Sequence, residues 1–200
     1  MLVYINRCLW HLFLWYNLIG DKMKIILVRH GQTEDNYNGI MQGRINNLMN
    51  DTGRRQCERL RNKLMDKKID YCYMSPLARC VETAFILIGD RVEMSKDDRL
   101  IERDLGKLEG KKRELYDSSK YWNYELDSED LGVESVKHII SRCEDFLNYI
   151  KSKYDKHACI LIVTHSAPYR ALKILLQNKK LTGNLFGTSV ENADFEEFEI

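Results

Sequence analysis

Two short apolar runs, each ended by a histidine, constrain this chain more than anything else in its 200 residues. Lys24-Ile25-Ile26-Leu27-Val28 runs into Arg29-His30-Gly31, and Ile160-Leu161-Ile162-Val163 runs into Thr164-His165. An unbroken apolar run of this length, rich in β-branched residues, suits a strand covered on both faces, as strands of a parallel sheet are. Ligands of open α/β sheets bind outside the carboxyl ends of the strands. Two histidines at two such ends therefore point to one shared pocket.

Composition narrows the class further. A chain of this length can bury a full core in one domain without metals or disulfides. Its formal charge of +1, with both signs intermixed, gives no field that would select nucleic acid or an anionic membrane. Any anion site has to be local. The six cysteines (Cys8, Cys57, Cys72, Cys80, Cys143, Cys159) are scattered, with no CxxC and no histidine at ligand spacing. They read as reduced thiols of a cytoplasmic protein, and no metal site is expected.

Residues 1–22 stand apart, with an apolar and aromatic stretch from Leu9 to Tyr16 that only His11 interrupts. It is shorter than the about 20 apolar residues of a membrane span, and no small-residue cleavage site follows it. The reading adopted is a start assigned too early, with the domain occupying residues 23–200. An amphipathic helix packed on the domain or on a membrane surface is the alternative.

From Lys24 onward strand and helix signals alternate, which is an α/β pattern. A Gly- and Asn-rich loop runs to Asn50, and a helix is predicted from Asp51 or Thr52 to about Lys67. Tyr71 to Met74 reads as a strand, and Ser75-Pro76 as the cap and first turn of a helix through Leu87 that carries Arg79 near the strand mouth. Val92 to Met94 suits another strand, Arg99 to Gly106 a loop at the sheet edge, and 111–126 an irregular helix. Val136, Ile139, Ile140, Cys143, Phe146, Leu147 and Ile150 recur at helical spacing between Ser135 and Ser152, and mark core. A helix from Tyr169 to Leu176 and an edge strand with Phe195, Phe198 and Ile200 complete the reading.

One Arg-His-Gly is weak evidence, but its company is not. Together with Ser75-Pro76-Leu77-Ala78-Arg79, Leu100-Ile101-Glu102-Arg103-Asp104-Leu105-Gly106-Lys107-Leu108-Glu109-Gly110 and Val163-Thr164-His165, in this order and spacing, the chain resembles the histidine phosphatase (phosphoglycerate mutase-like) superfamily. Gly43-Arg44, Asn50 to Gln56, Gly132 to Ser135 and Glu191-Asn192-Ala193 extend the resemblance over everything but residues 1–22. It implies a three-layer α/β/α sandwich with a mostly parallel sheet. It also implies a phosphoryl-transfer site without cofactor or metal.

The implied roles make physical sense. A phosphoryl group spreads negative charge over three oxygens, which fixed donors must hold through transfer. Arg29 and Arg79 supply guanidinium forks, and His165, neutral or protonated, a further donor. His30 is the nucleophile, a neutral imidazole whose other ring N–H is held by a backbone carbonyl. Glu102 matches the proton donor, which needs a raised pKa and is worth roughly 10²–10⁴-fold. A surface Glu paired with Arg103 is the bland reading, against which stands the frame of Leu100, Gly106 and Glu109-Gly110. Asn36, Gln42 and Ser166 match positions that contact phosphoryl oxygens, although loop amides are more often turn formers. His138 and His157 fall outside every motif. Lys111-Lys112-Arg113 is taken as a solvated helix face in preference to a contact for a second anionic group. Tyr121-Trp122-Asn123-Tyr124 is open between a substrate wall and core.

Within the superfamily, mutases carry Tyr where Leu105 stands and Asn where Ala167 follows Ser166, with paired arginines in a longer segment between Glu102 and His165. This chain lacks all three, and Gln42 matches the phosphatase branch. The resemblance therefore implies a metal-independent phosphomonoesterase of the histidine acid phosphatase type, acting on a small phosphorylated metabolite. Mutase-type transfer and a non-catalytic phospho-ligand module are the alternatives. Substrate identity and oligomeric state are not legible.

Overall fold

The computed structural model describes residues 22–126, 130–187 and 190–200, so all but the last residue of the 1–22 extension lies outside the described residues. The chain order is β1 (Lys24–Arg29), α1 (Glu34–Tyr37), α2 (Asp51–Leu64), β2 (Tyr71–Met74), α3 (Ala78–Ile88) and β3 (Glu93–Lys96). There follow α4 (Ser118–Tyr121), α5 (Val136–Lys153), β4 (Cys159–Thr164), α6 (Ser166–Leu176) and β5 (Phe195–Glu199). The sheet runs β3-β2-β4-β1-β5, with the first four strands parallel and β5 an antiparallel edge against β1.

Alternation along the two apolar strands sorts the layers. Ile25, Leu27, Ile160 and Ile162 face α5 and α6, while Ile26, Val28, Leu161 and Val163 face α2 and α3. Strands buried on both faces have no polar side to show, which is why the runs are unbroken. The helix α5 contributes the predicted stripe, with Ile139, Phe146 and Ile150 fully buried. Truncating Phe146 to alanine here costs about 3–5 kcal/mol. Pairing of Arg29 with Thr164 and of Met74 with Val163 brings the carboxyl ends of β1, β4 and β2 level, so His30, His165 and Ser75 leave the sheet side by side.

Some boundaries differ from the sequence reading. Helix α2 stops at Leu64, and β3 is shifted to Glu93–Lys96. Helix α3 starts at Ala78, not at Ser75-Pro76, because the Ser75 N–H still donates to Val163 O (3.0 Å) as an extension of the sheet. Its open N-terminus is met from outside: Asn46 Oδ1 accepts the Ala78 N–H at 2.7 Å. Arg99 to Gly106 does not skirt the sheet edge. Thr164 Oγ1 donates to Leu100 O at 2.7 Å, which holds this segment across the end of central strand β4. Residues 111–126 carry only a 3₁₀ turn at Arg113–Leu115 and the single turn of α4.

Candidate active site

The loop after β1 is locked from three sides. The Gly31 N–H donates to Thr83 Oγ1 (3.1 Å), Asn192 Nδ2 donates to His30 O (3.0 Å), and the Ala193 N–H reaches the Arg29 and His30 carbonyls at 3.1 Å. A Cβ on Gly53, in the first turn of α2, would stand 2.1 Å from Gln32 O, so only glycine lets that helix close on the loop. His30 itself is buried, and its Nδ1 lies 2.7 Å from Gly31 O. A carbonyl can only accept, so Nδ1 carries the proton and the Nε2 lone pair is left free. Burial, with the charges of Arg79 and Arg29, holds its pKa well below 6.5, against the opposing Gly31 bond. His30 is thus a neutral imidazole with a free lone pair on Nε2.

Arg29 donates through Nη1 to Val190 O, and burial lowers its pKa to about 10, which leaves it fully charged at neutral pH. Arg79 donates from Nη1 to Ile45 O (2.7 Å), from Nη2 to Gly43 O (2.9 Å) and from Nε to His165 Nδ1 (3.1 Å). One N–H on each terminal nitrogen remains for a ligand. His165 stands 5.1 Å from the His30 ring, centroid to centroid, but behind Arg79 and not on the cavity wall. Its Nδ1 accepts from Arg79, so Nε2 bears the proton and donates to Ser75 Oγ at 2.7 Å. Both ring nitrogens are engaged, and burial beside Arg79 keeps the ring neutral. In this arrangement His165 supports the Arg79 guanidinium from behind.

Glu102 is on the wall of the cavity. Its Oε1 accepts from the Arg103 N–H (2.9 Å) and from the Ala167 N–H (3.1 Å) at the start of α6. The surface ion pair with Arg103 does not form, because that guanidinium points inward to Glu134 O, Tyr116 Oη and Tyr121 O. Asn36 proves to be both cap and wall: its Oδ1 accepts from the Thr33 N–H and from Asn192 Nδ2 while the residue faces the cavity. Gln42 and Ser166 face it too, and Gln42 Oε1 is buried without a partner among the described residues. Gly43 is placed beside them by Glu109, whose Oε1 accepts the Arg44 N–H at 2.8 Å and would lie 2.0 Å from any Cβ on Gly43.

These groups open on a cavity of about 430 Å³, within the range of small-ligand sites. Three arginines that the sequence reading did not place in the site also line it: Arg103, Arg113 and Arg170. Arg113 belongs to a 3₁₀ turn and not to a helix face, and its N–H donates to Gly39 O (2.9 Å); Lys111, Lys112 and Arg113 all stay exposed, and of the three only Arg113 lines the cavity. Arg170 follows Ser166 by one helical turn and donates to its hydroxyl at 3.0 Å, a spacing that was legible in principle. The aromatic cluster divides. Trp122 is buried core and cavity wall at once, under Arg103 and Arg170, whereas Tyr121 packs with Met41, Leu108 and Val133.

Among known proteins, the chain is 30% identical over 161 residues to a probable phosphatase of Schizosaccharomyces pombe, covering 79% of this chain and 75% of that one. It is 30% identical over 184 residues to a 2,3-bisphosphoglycerate-dependent phosphoglycerate mutase of Thermoplasma acidophilum, covering 89% and 88%. Among solved structures, Bacillus stearothermophilus YhfR superposes with a TM-score of 0.78 at 24% identity, over 88% of this chain and 90% of that one, which shows a shared fold. The profile of the histidine phosphatase superfamily (branch 1) matches residues 25–200, from the first strand to the end of the edge strand, and the chain belongs to that superfamily.

Proposed function

We propose that this protein is a phosphomonoesterase of the histidine acid phosphatase type, working through a phosphohistidine on His30. The observation that carries this reading is the protonation pattern at His30: a proton fixed on Nδ1 by Gly31 O and a bare Nε2, beside two guanidinium groups. The Nε2 lone pair attacks phosphorus, and the ester P–O bond breaks. Glu102, in its acid form, gives its proton to the departing oxygen. The resulting carboxylate then takes a proton from water, whose oxygen attacks phosphorus; the P–N bond breaks, and neutral His30 and inorganic phosphate are released. Arg29 and Arg79 hold the equatorial oxygens throughout, with Asn36, Gln42 and Ser166 as further polar contacts, and His165 acts as a positioning residue through Arg79.

Five guanidinium groups and a single carboxylate among the cavity-lining described residues suit neutralisation by arginine, not by a carboxylate-bound divalent ion. No helix of the described residues is long and apolar enough to cross a membrane, and the described cysteines are buried and free, in keeping with a cytoplasmic setting. A small phosphorylated metabolite is the substrate class that fits the cavity. The deciding experiment is phosphoryl trapping. Labelled substrate quenched in base should leave an acid-labile, base-stable label that His30→Ala abolishes together with turnover. Full activity in His30→Ala rules the mechanism out, and interconversion of phosphoglycerate isomers without phosphate release would favour the mutase alternative.

A further inference from the structure

The proton on His30 Nδ1 decides whether Nε2 can attack, and one peptide group holds it, the unit that joins Gly31 to Gln32. The carbonyl of that unit accepts from His30 Nδ1 at 2.7 Å. Its N–H, on the opposite edge, donates to the side chain of Gln56 in the second turn of α2, reaching Oε1 at 3.0 Å. A peptide group is planar, so fixing one edge fixes the direction in which the other points. Two hydrogen bonds in line through one amide also polarise each other, which makes the Gly31 carbonyl a better acceptor.

The neighbouring contacts leave this task to Gln56. The peptide before Gly31 is held from α3, where Thr83 Oγ1 accepts the Gly31 N–H at 3.1 Å. Asn50 takes the far side of Gln32: its N–H donates to Gln32 O (2.9 Å) and its Nδ2 to Gln32 Oε1 (3.1 Å). Neither bonds to the unit in between. Gln56 is half-buried and is not among the described residues that line the cavity, so it holds its peptide without touching a phosphoryl group.

We propose that Gln56 is a positioning residue for His30, holding the Gly31–Gln32 peptide so that its carbonyl keeps the ring proton on Nδ1 and faces the charge that the ring acquires on phosphorylation. As Nε2 gives its lone pair to phosphorus, the ester P–O bond breaks and its electron pair leaves on the ester oxygen. The ring keeps its Nδ1 proton and carries one positive charge. A carbonyl already aimed at that N–H stabilises the charged ring more than the neutral one, because the hydrogen bond becomes charge-assisted. When water displaces the ring, the P–N electron pair returns to Nε2 and the charge disappears, so the help falls on the step that forms the phosphohistidine. The inference rests on the phosphatase reading for turnover, but not for the tautomer of His30.

The test uses the full chain with Gln56→Leu, which removes the acceptor, and Gln56→Glu, which keeps one in the same place; leucine, glutamine and glutamate are all good helix formers. With p-nitrophenyl phosphate, kcat/KM covers the steps up to phosphorylation of His30. It should fall about tenfold in Gln56→Leu, the scale of one hydrogen bond, and Gln56→Glu should recover most of that loss. Competitive inhibition by inorganic phosphate, which Arg29 and Arg79 hold, should stay the same in both. Ring-nitrogen NMR of the resting protein should show His30 protonated on Nδ1 alone in the unaltered chain and in Gln56→Glu, and a mixture of tautomers in Gln56→Leu. Should Gln56→Leu fail to fold, Gln56→Met, close to glutamine in length, replaces it. The proposal is overturned by an unchanged kcat/KM in Gln56→Leu, by an equal loss in Gln56→Glu, by phosphate inhibition that weakens in step with turnover, or by a His30 tautomer that ignores residue 56. Hydrolysis that needs His30 but is indifferent to Gln56 sinks this inference alone. Absence of hydrolysis in the unaltered chain, with the tautomer still following Gln56, sinks the phosphatase reading alone.

Discussion

Acid should weaken this fold well before its carboxylates titrate, and the two site histidines set the amount. His30 and His165 are both buried, and burial and neighbouring guanidinium charge hold both pKa values well below the ordinary 6.5. In the unfolded chain each returns to 6.5, so below that pH the unfolded state binds protons that the native state refuses. Stability therefore rises with pH across the window from the native pKa to 6.5 and falls as the solution is acidified. Each pH unit inside the window is worth about 1.4 kcal/mol per group. Taking pH from about 7.5 to about 5.5 spans one such unit for each ring, for a loss of about 3 kcal/mol, a large part of the stability of an ordinary domain. Glu134, whose pKa lies below 4.5 despite its burial because Arg142 holds its charge, has the opposite window: its contribution is lost only as pH falls below 4.5. Urea unfolding at the two pH values, in buffers free of phosphate so that no anion stabilises the native state, measures the difference through the midpoint. Native-state NMR of the ring protons should show neither His30 nor His165 titrating over the same range. A midpoint that stays level or rises on acidification, or either ring titrating near 6.5, refutes the account.

Glu102→Gln keeps the shape and removes the transferable proton, so hydrolysis of alkyl esters should fall roughly 10²–10⁴-fold and that of aryl esters, with their better leaving groups, by less; equal losses on both would clear Glu102 of the acid role. Activity should persist in EDTA and yield to vanadate, which mimics five-coordinate phosphorus; complete loss in EDTA restored by a divalent ion contradicts arginine-based neutralisation. Gly53→Ala drives a Cβ into the Gln32 backbone and should cost about 1–3 kcal/mol in denaturant unfolding, with turnover impaired because that backbone carries the His30 loop; an unchanged midpoint would show that helix α2 can shift freely.

The layers and the covered strands followed from patterns with a physical period. Ile25 to Val28 and Ile160 to Val163 have no polar alternation because both faces of β1 and β4 are covered, and the α5 stripe from Val136 to Ile150 repeats at 3.6 because one face is. Boundaries were less legible where tertiary bonds overrule local preference. Ser75-Pro76 has the chemistry of a helix start, yet the Val163 carbonyl holds Ser75 in the sheet and Asn46, thirty residues upstream, serves the helix end. No local window contains Asn46 and Ala78 together.

The site divides along the same line. Arg29, His30, Arg79 and Glu102 lie on or beside strand ends, where a short motif fixes position, and all four face the cavity. His165 belongs to the same kind of motif but turns both ring nitrogens to protein partners, since the guanidinium of Arg79 claims one and Ser75 the other. The other arginines that line the cavity come from another kind of place. Arg113 reaches the pocket only because a 3₁₀ turn pairs with Gly39, and Arg103 points inward only because Tyr116 and the Glu134 and Tyr121 carbonyls receive it. Neither the turn at Arg113 nor the oxygens around Arg103 lie in a local sequence window. The strand-end side of the cavity is therefore written in contiguous residues. Its far side is assembled from α6, a turn near residue 113 and the aromatic wall, three segments with no shared period and no fixed spacing.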